Sequence, residues 1–141
     1  MGDRAFLDTN ILVYAIELDG PSPEKGQAAR SLIARIAACI STQVLGEFYS
    51  AVTSAKRQSP LAHDEAVTWV QFWKRFDVLP VTVAHVNLAL ELKGSFRIHY
   101  YDALILATAR LTNCNLVYSE DLNTEQDYGG VRVQNPFKSL T

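Results

Sequence analysis

The chain has 141 residues, 48% hydrophobic and 20% charged, with a formal net charge of −2. That composition excludes a disordered chain, and the length suits one compact domain, 1–141, rather than two. The slightly acidic balance excludes a protein that coats nucleic acid through bulk positive charge, but not an enzyme that holds one phosphate through metal ions and a few local basic groups.

Ala5-Phe6-Leu7 predicts a short buried strand, and Ile11 to Glu17 a helix. Asp19-Gly20-Pro21-Ser22-Pro23 is a loop in which Ser22 caps, and Pro23 opens, a helix running to Ile36. Ala37 to Ser41 is a second strand and Thr42 to Ala55 a helix ending in Lys56-Arg57. Ser59-Pro60 breaks the chain. His63 to Phe76 is a helix with Ala66, Val70 and Trp73 at helical spacing. Asp77 to Val81 is a third strand. Thr82 caps a helix to Lys93, stopped by Gly94. Tyr101 to Thr112 is helical, Leu116-Val117-Tyr118 is a fourth strand, and Val131-Arg132-Val133 a candidate fifth. Strands that alternate with helices and read as continuous apolar runs predict an α/β fold with a parallel sheet covered on both faces. No apolar stretch reaches the ~20 residues that cross a bilayer, so no membrane association is expected. The N-terminus lacks a basic segment followed by an apolar core, so no signal peptide is expected. Cys39 and Cys114 lie in apolar surroundings and read as buried free thiols of a reducing, cytoplasmic compartment.

In open parallel sheets the functional crevice lies beyond the carboxyl ends of the strands. Asp8 stands at that end of the first strand, where it could equally cap the following helix, as could Asn10. Asp121 follows the fourth strand in Ser119-Glu120-Asp121 and could be a solvated turn. Asp102 opens a helix apolar nearly all round, where it could simply complement the helix dipole. Glu47 lies after the second strand, near the edge of the face formed by Val44, Leu45, Phe48 and Val52. Together these acids can meet at one sheet edge. Clustered carboxylates repel one another and raise their own pKa values, and a hard divalent cation, Mg²⁺ or Mn²⁺, keeps oxygen-only ligands ionised.

The stretches FLDTNILVYA, STQVLGEFY, YYDALILATA and YSEDLN resemble, in order and spacing, the four acidic motifs of the PIN domain family. The spacing is similar to that of small VapC-type toxins of toxin–antitoxin pairs, and the resemblance covers essentially the whole chain. It implies a PIN-like α/β/α sandwich with a central, mostly parallel sheet of four or five short strands. It maps the metal-binding acids onto Asp8, Glu47, Asp102 and Asp121, and polar helpers onto Thr9 or Asn10 and onto Ser119. Glu120 is an additional acid whose direction the sequence leaves open.

The resemblance implies an endoribonuclease in which a metal-activated water hydrolyses an RNA phosphodiester, leaving a 5′-phosphate and a 3′-hydroxyl. Lys56-Arg57, Lys74-Arg75, Lys93 and Arg97 are candidate RNA contacts, Arg97 preferred because it lies shortly before Asp102. Tyr101 or Tyr100 could stack on a base. His99 lies near Asp102, while His63 and His85 read as structural. The resemblance also implies a small antitoxin partner and a homodimer. Leu32, Ile36 and Val44 to Val52 are candidates for the partner groove and equally for ordinary core, and Trp69, Phe72 and Trp73 are candidates for a subunit contact, with burial the stronger reading of Trp73. Two other readings remain open. One is a metal-dependent phosphatase with an aspartyl-phosphate at Asp8, although Asn10 stands where such enzymes usually carry a second acid. The other is a non-catalytic PIN-like module that binds RNA or protein.

Overall fold

The computed structural model describes residues 4–18 and 20–140. Asp19, in the loop expected at 19–23, lies outside the described residues. The elements in chain order are β1 (Arg4–Leu7), α1 (Thr9–Ala15), α2 (Pro23–Arg35), β2 (Ala37–Ser41), α3 (Thr42–Thr53) and α4 (His63–Trp73). They continue with β3 (Asp77–Leu79), α5 (Val83–Phe96), α6 (Tyr100–Leu111), β4 (Leu116–Tyr118), β5 (Arg132–Gln134) and a 3₁₀ turn at Lys138–Leu140. The five strands form one sheet in the order β3-β2-β1-β4-β5, every pair parallel.

Strand β1 takes the centre of the sheet. Ala5, Phe6 and Leu7 are all buried. Successive strand residues point to opposite faces, so the sheet is covered on both sides. Phe6 pairs with Cys39 on one side and Val117 on the other, and both of those are buried too. Helix α6 lies in the core, with Ala103 to Ala109 buried without interruption. The two thiols are buried, as expected, and are also neighbours: Cys39 Sγ lies 2.7 Å from Cys114 Sγ.

Several boundaries differ from the sequence expectation, each for a local reason. Helix α1 starts at Thr9 rather than Ile11, because Asp8 supplies the cap. Ser22 precedes α2 without a side-chain capping bond, and Pro23 alone marks the start. Helix α4 ends at Trp73 rather than Phe76, where bonds from Arg75 N–H to Phe72 O and from Phe76 N–H to Trp73 O tighten the last turn. Gly94 does not stop α5. The helix runs on to Phe96 and ends where Arg97 turns left-handed (φ 55°), its N–H donating to Lys93 O at 2.8 Å. Helix α6 starts at Tyr100, and His99 Nδ1 accepts from Tyr101 N–H at 3.3 Å. The fifth strand sits one residue later than expected.

Candidate metal centre

Strand register builds the site. Leu7 pairs with Tyr118, and Asp8 N–H donates to Tyr118 O at 3.0 Å. The residues one step further, Asp8 and Ser119, therefore leave adjacent strand ends side by side. Ser119 Oγ donates to Asp8 Oδ2 at 2.7 Å, and Thr9 N–H donates to Asp8 Oδ1, also at 2.7 Å. Asp8 is thus both the cap of α1 and a buried carboxylate, 5% exposed. Capping and a place in the acid cluster, alternatives in the sequence, coexist on one side chain.

Ser119 also accepts the N–H of Asp121 at 3.1 Å, which folds the chain after β4 back toward Asp8. Asn10, in the first turn of α1, donates its amide to Asp121 Oδ2 at 3.1 Å. Asp102 enters from the first turn of α6. One oxygen each from Asp8, Asp102 and Asp121 lies within 4.8 Å of the others. Glu47, on α3, stands beside this group rather than in it, and its Oε1 accepts from Thr9 Oγ1 at 2.9 Å. Asp8, Thr9, Asn10, Glu47, Asp102 and Asp121, with Tyr101, line an open cleft of about 470 Å³.

The electrostatics follow from burial and crowding. Burial pushes the Asp8 carboxyl up to about 7; the Ser119 and Thr9 bonds pull against it, while Asp121 and Asp102 push it further. Asp102 is raised as well, by burial first and then by Asp121, with His99 opposing and Glu47 adding. Burial and neighbouring charge disfavour the ionised forms of Asp8 and Asp102, a penalty that a bound cation would offset. A donor set made only of carboxylate oxygens suits a hard divalent cation.

The other expected residues separate. Tyr101 is 53% exposed at the cleft, and its ring lies 5.9 Å from that of His99. Arg97 is exposed at the end of α5 and is not among the described residues lining the cleft, so its closeness in sequence to Asp102 does not carry it to the acids. Glu120 turns aside, to Tyr14 and Lys25. Arg57 reaches Glu17, a cleft-lining residue, at 3.3 Å. Sequence reasoning missed Tyr14, Glu17 and Gln43, whose amide donates to Tyr101 O at 3.1 Å. Tyr14 was within reach, because it lies four residues after Asn10 on one helix face. Nothing local in the sequence marks Gln43.

A family model described as "PIN domain" matches residues 5–126. The chain belongs to the PIN domain family. No curated protein matches it. Its fold is similar to that of solved toxin–antitoxin structures. One, a toxin–antitoxin complex from Klebsiella pneumoniae, is 18% identical with a TM-score of 0.68, the match covering 94% of this chain and 97% of that one. A second, VapBC2 from Rickettsia felis bound to a promoter DNA fragment, is 20% identical with a TM-score of 0.66, covering 94% and 98%. A third, VapC20 of Mycobacterium tuberculosis, described as a sarcin–ricin loop cleaving toxin, is 20% identical with a TM-score of 0.68, covering 83% and 89%. At these identities the likeness speaks for the PIN fold and leaves function to the chemistry of the site.

Proposed function

We propose that this single PIN-like domain, 1–141, is a Mg²⁺- or Mn²⁺-dependent endoribonuclease and the toxin of a type II toxin–antitoxin pair in the cytoplasm. The observation that carries the reading is the meeting of Asp8, Asp102 and Asp121 oxygens within 4.8 Å around a buried carboxylate. Asp8, Asp102 and Asp121 hold the cation, and Glu47 extends the acidic wall beside them. A bound divalent ion supplies Lewis-acid chemistry, making water more acidic and offsetting charge on the phosphoryl oxygens. The chain's own groups do the rest. Ser119 and the Thr9 amide fix Asp8, the Thr9 hydroxyl aims Glu47, and Asn10 steadies Asp121. Asp102 or Asp121 orients the attacking water. Tyr101, exposed at the cleft, offers its ring to a base.

The VapC20 toxin is described as cleaving the sarcin–ricin loop. For this chain we propose RNA as the substrate class. The similar Klebsiella structure is a toxin–antitoxin complex, which supports a small antitoxin partner here. An Arg or Lys from that partner would pair with the acids and displace the ion. Of the residues expected at the partner groove, Ile36 lines an open groove. Leu32, Val44, Phe48 and Val52 are fully buried and belong to the core. The apolar groove of about 900 Å³ runs along Ile33 of α2, Ile36 at its C-cap, and Trp69, Phe72 and Phe76 of the α4 region. We assign this groove to the antitoxin helix. Trp73 is 2% exposed, and Trp69 and Phe72 line the groove assigned to the antitoxin, so the homodimer that belongs to this reading would use a different face.

The test is digestion of RNA with and without Mg²⁺ or Mn²⁺, comparing wild type with Asp8→Asn and Asp102→Asn and using circular dichroism as the fold control. Supporting partners of a metal typically cost 10–100-fold when removed, so losing a ligand should cost at least about 100-fold. Full activity in both variants would sink the assignment. Metal binding with no cleavage would leave a binding module.

A further inference from the structure

Glu120 stands between Ser119 and Asp121, yet its carboxylate faces away from the other acids. Its Oε1 accepts from the Tyr14 hydroxyl at 2.8 Å, and its Oε2 takes the Lys25 ammonium at 2.5 Å. Lys25 Nζ lies 3.5 Å from the Tyr14 hydroxyl as well. The same ammonium sits 5.1 Å from the Tyr14 ring centroid and 5.7 Å from that of Phe137, which is itself packed edge-on against Tyr14. The Lys25 and Glu120 side chains are only 29% and 25% exposed. An ion pair held this way differs from a freely solvated surface pair, since rings and hydroxyl restrict both partners before they meet.

The position of the cluster gives it a consequence. The backbone of Glu120 joins the residue that holds Asp8 to the acid held by Asn10. Tyr14 lies one turn beyond Asn10 on α1, and Lys25 lies in the first turn of α2. Two helices therefore grip the middle residue of the segment that delivers Asp121. Asp121 is exposed, and among its described bonds only the Asn10 amide touches its carboxylate. Left to that single neutral bond, Asp121 would spread over several orientations.

We propose that Lys25 and Tyr14 are positioning residues for the metal centre, acting through Glu120 to fix Ser119 and Asp121 in the geometry that takes up the cation. The inference rests on the metal-centre reading above. Neither residue needs to touch the ion, the RNA or the reacting atoms.

Charge alone and positioning predict opposite signs for one substitution. Lys25→Met removes a positive charge near an acidic centre, which by Coulomb attraction alone would tighten cation binding. If Lys25 positions Asp121, the same change weakens it. The experiment is Mn²⁺ titration of the full chain, with free Mn²⁺ read by electron paramagnetic resonance, for wild type, Lys25→Met, Lys25→Arg and Tyr14→Phe. Metal-free thermal midpoints are measured alongside. The expected result for Lys25→Met is roughly 10-fold weaker binding, the low end of the cost of losing an outer-shell partner. Tyr14→Phe, which changes no charge, should weaken binding by roughly two- to tenfold, the worth of one hydrogen bond. Lys25→Arg, which keeps charge and donors, should restore most of the affinity. Lys25→Met binding Mn²⁺ as tightly as wild type, or more tightly, overturns the proposal. If that variant does not fold, unchanged affinity in Tyr14→Phe overturns it instead. Wild-type protein that takes up no Mn²⁺ overturns the metal-centre reading, and this inference falls with it. Wild-type protein that binds while both variants match it overturns the positioning role alone.

Discussion

Asp8 shows how much one side chain can carry. As the α1 cap it must accept the Thr9 N–H, and at the end of a central strand it is buried almost completely. Its proton-binding range moves from 3.8 to about 7 on folding. Between those values the folded state keeps a proton that the unfolded state has released. Metal-free stability should therefore fall as pH rises from about 4 to about 7. Thermal midpoints in chelator should drop between pH 5 and pH 7.5, and Asp8→Asn, which keeps a cap acceptor but has nothing to ionise, should flatten that drop. An equal drop in the variant would assign the effect to other groups. Protons also compete with the cation for Asp8, so metal affinity should weaken below about pH 7. Ser119 is buried and donates to Asp8. Ser119→Ala should cost about 10–100-fold in metal affinity, because it frees the carboxylate to rotate and removes the hydroxyl that accepts the Asp121 N–H.

Two glycines separate close approach from simple propensity at the scale of elements. Gly26 is where α2 crosses the end of α1. A Cβ there would stand 2.6 Å from Glu17 O and 3.0 Å from Tyr14 O, both backbone atoms that cannot swing aside. Gly26→Ala should destabilise by about 1–3 kcal/mol, the range for overpacked contacts. Gly94 has nothing within 4 Å of such a Cβ and lies inside α5. Gly94→Ala should stabilise by up to about 1 kcal/mol, since it removes backbone freedom from the unfolded chain and adds no clash. Urea midpoints for the two variants should move in opposite directions. A Gly94→Ala variant less stable than wild type would mean that the helix does not continue through residue 94 in solution.

At the scale of the molecule, the acid cluster couples ligand binding to folding. A cation that binds only the folded chain stabilises it by RT ln(1 + [L]/Kd), about 2.7 kcal/mol at ~100-fold excess over Kd. The thermal midpoint should rise by several degrees in excess Mg²⁺ or Mn²⁺, and the rise should vanish in Asp8→Asn and Asp102→Asn. A midpoint indifferent to metal at saturating concentrations would count against a shared carboxylate site. The proposed partner belongs to this scale too, as a chain that would lie in the groove and reach the acidic cleft. Co-expression with a small protein encoded nearby should yield a complex with suppressed RNA cleavage. A bound partner that leaves cleavage unchanged would refute inhibition by occupancy of the cleft.

The alternation of apolar runs and amphipathic stretches made the layered α/β fold legible, because strand and helix periodicities are local properties of the chain. The same locality exposed Asp8, directly after a buried run, Asp121, three residues past the end of an apolar strand, and Asp102 at the mouth of a helix apolar nearly all round. It misplaced the end of α5, since a glycine signals a stop only where the backbone turns left-handed, and here that residue is Arg97. Only the tertiary structure decided which of these groups meet. The β1–β4 register brings Ser119 to Asp8, and a shift of one residue would have sent the side chain to the other face. Glu47 meets Thr9, Glu120 turns to Lys25, Arg97 stays outside the cleft, and Leu32, Val44, Phe48 and Val52 close into core while α2 and the α4 region leave a groove. Each of these contacts joins residues far apart in the chain or depends on which helix face finds a neighbour. Local pattern writes the elements, and the packing between them places the side chains.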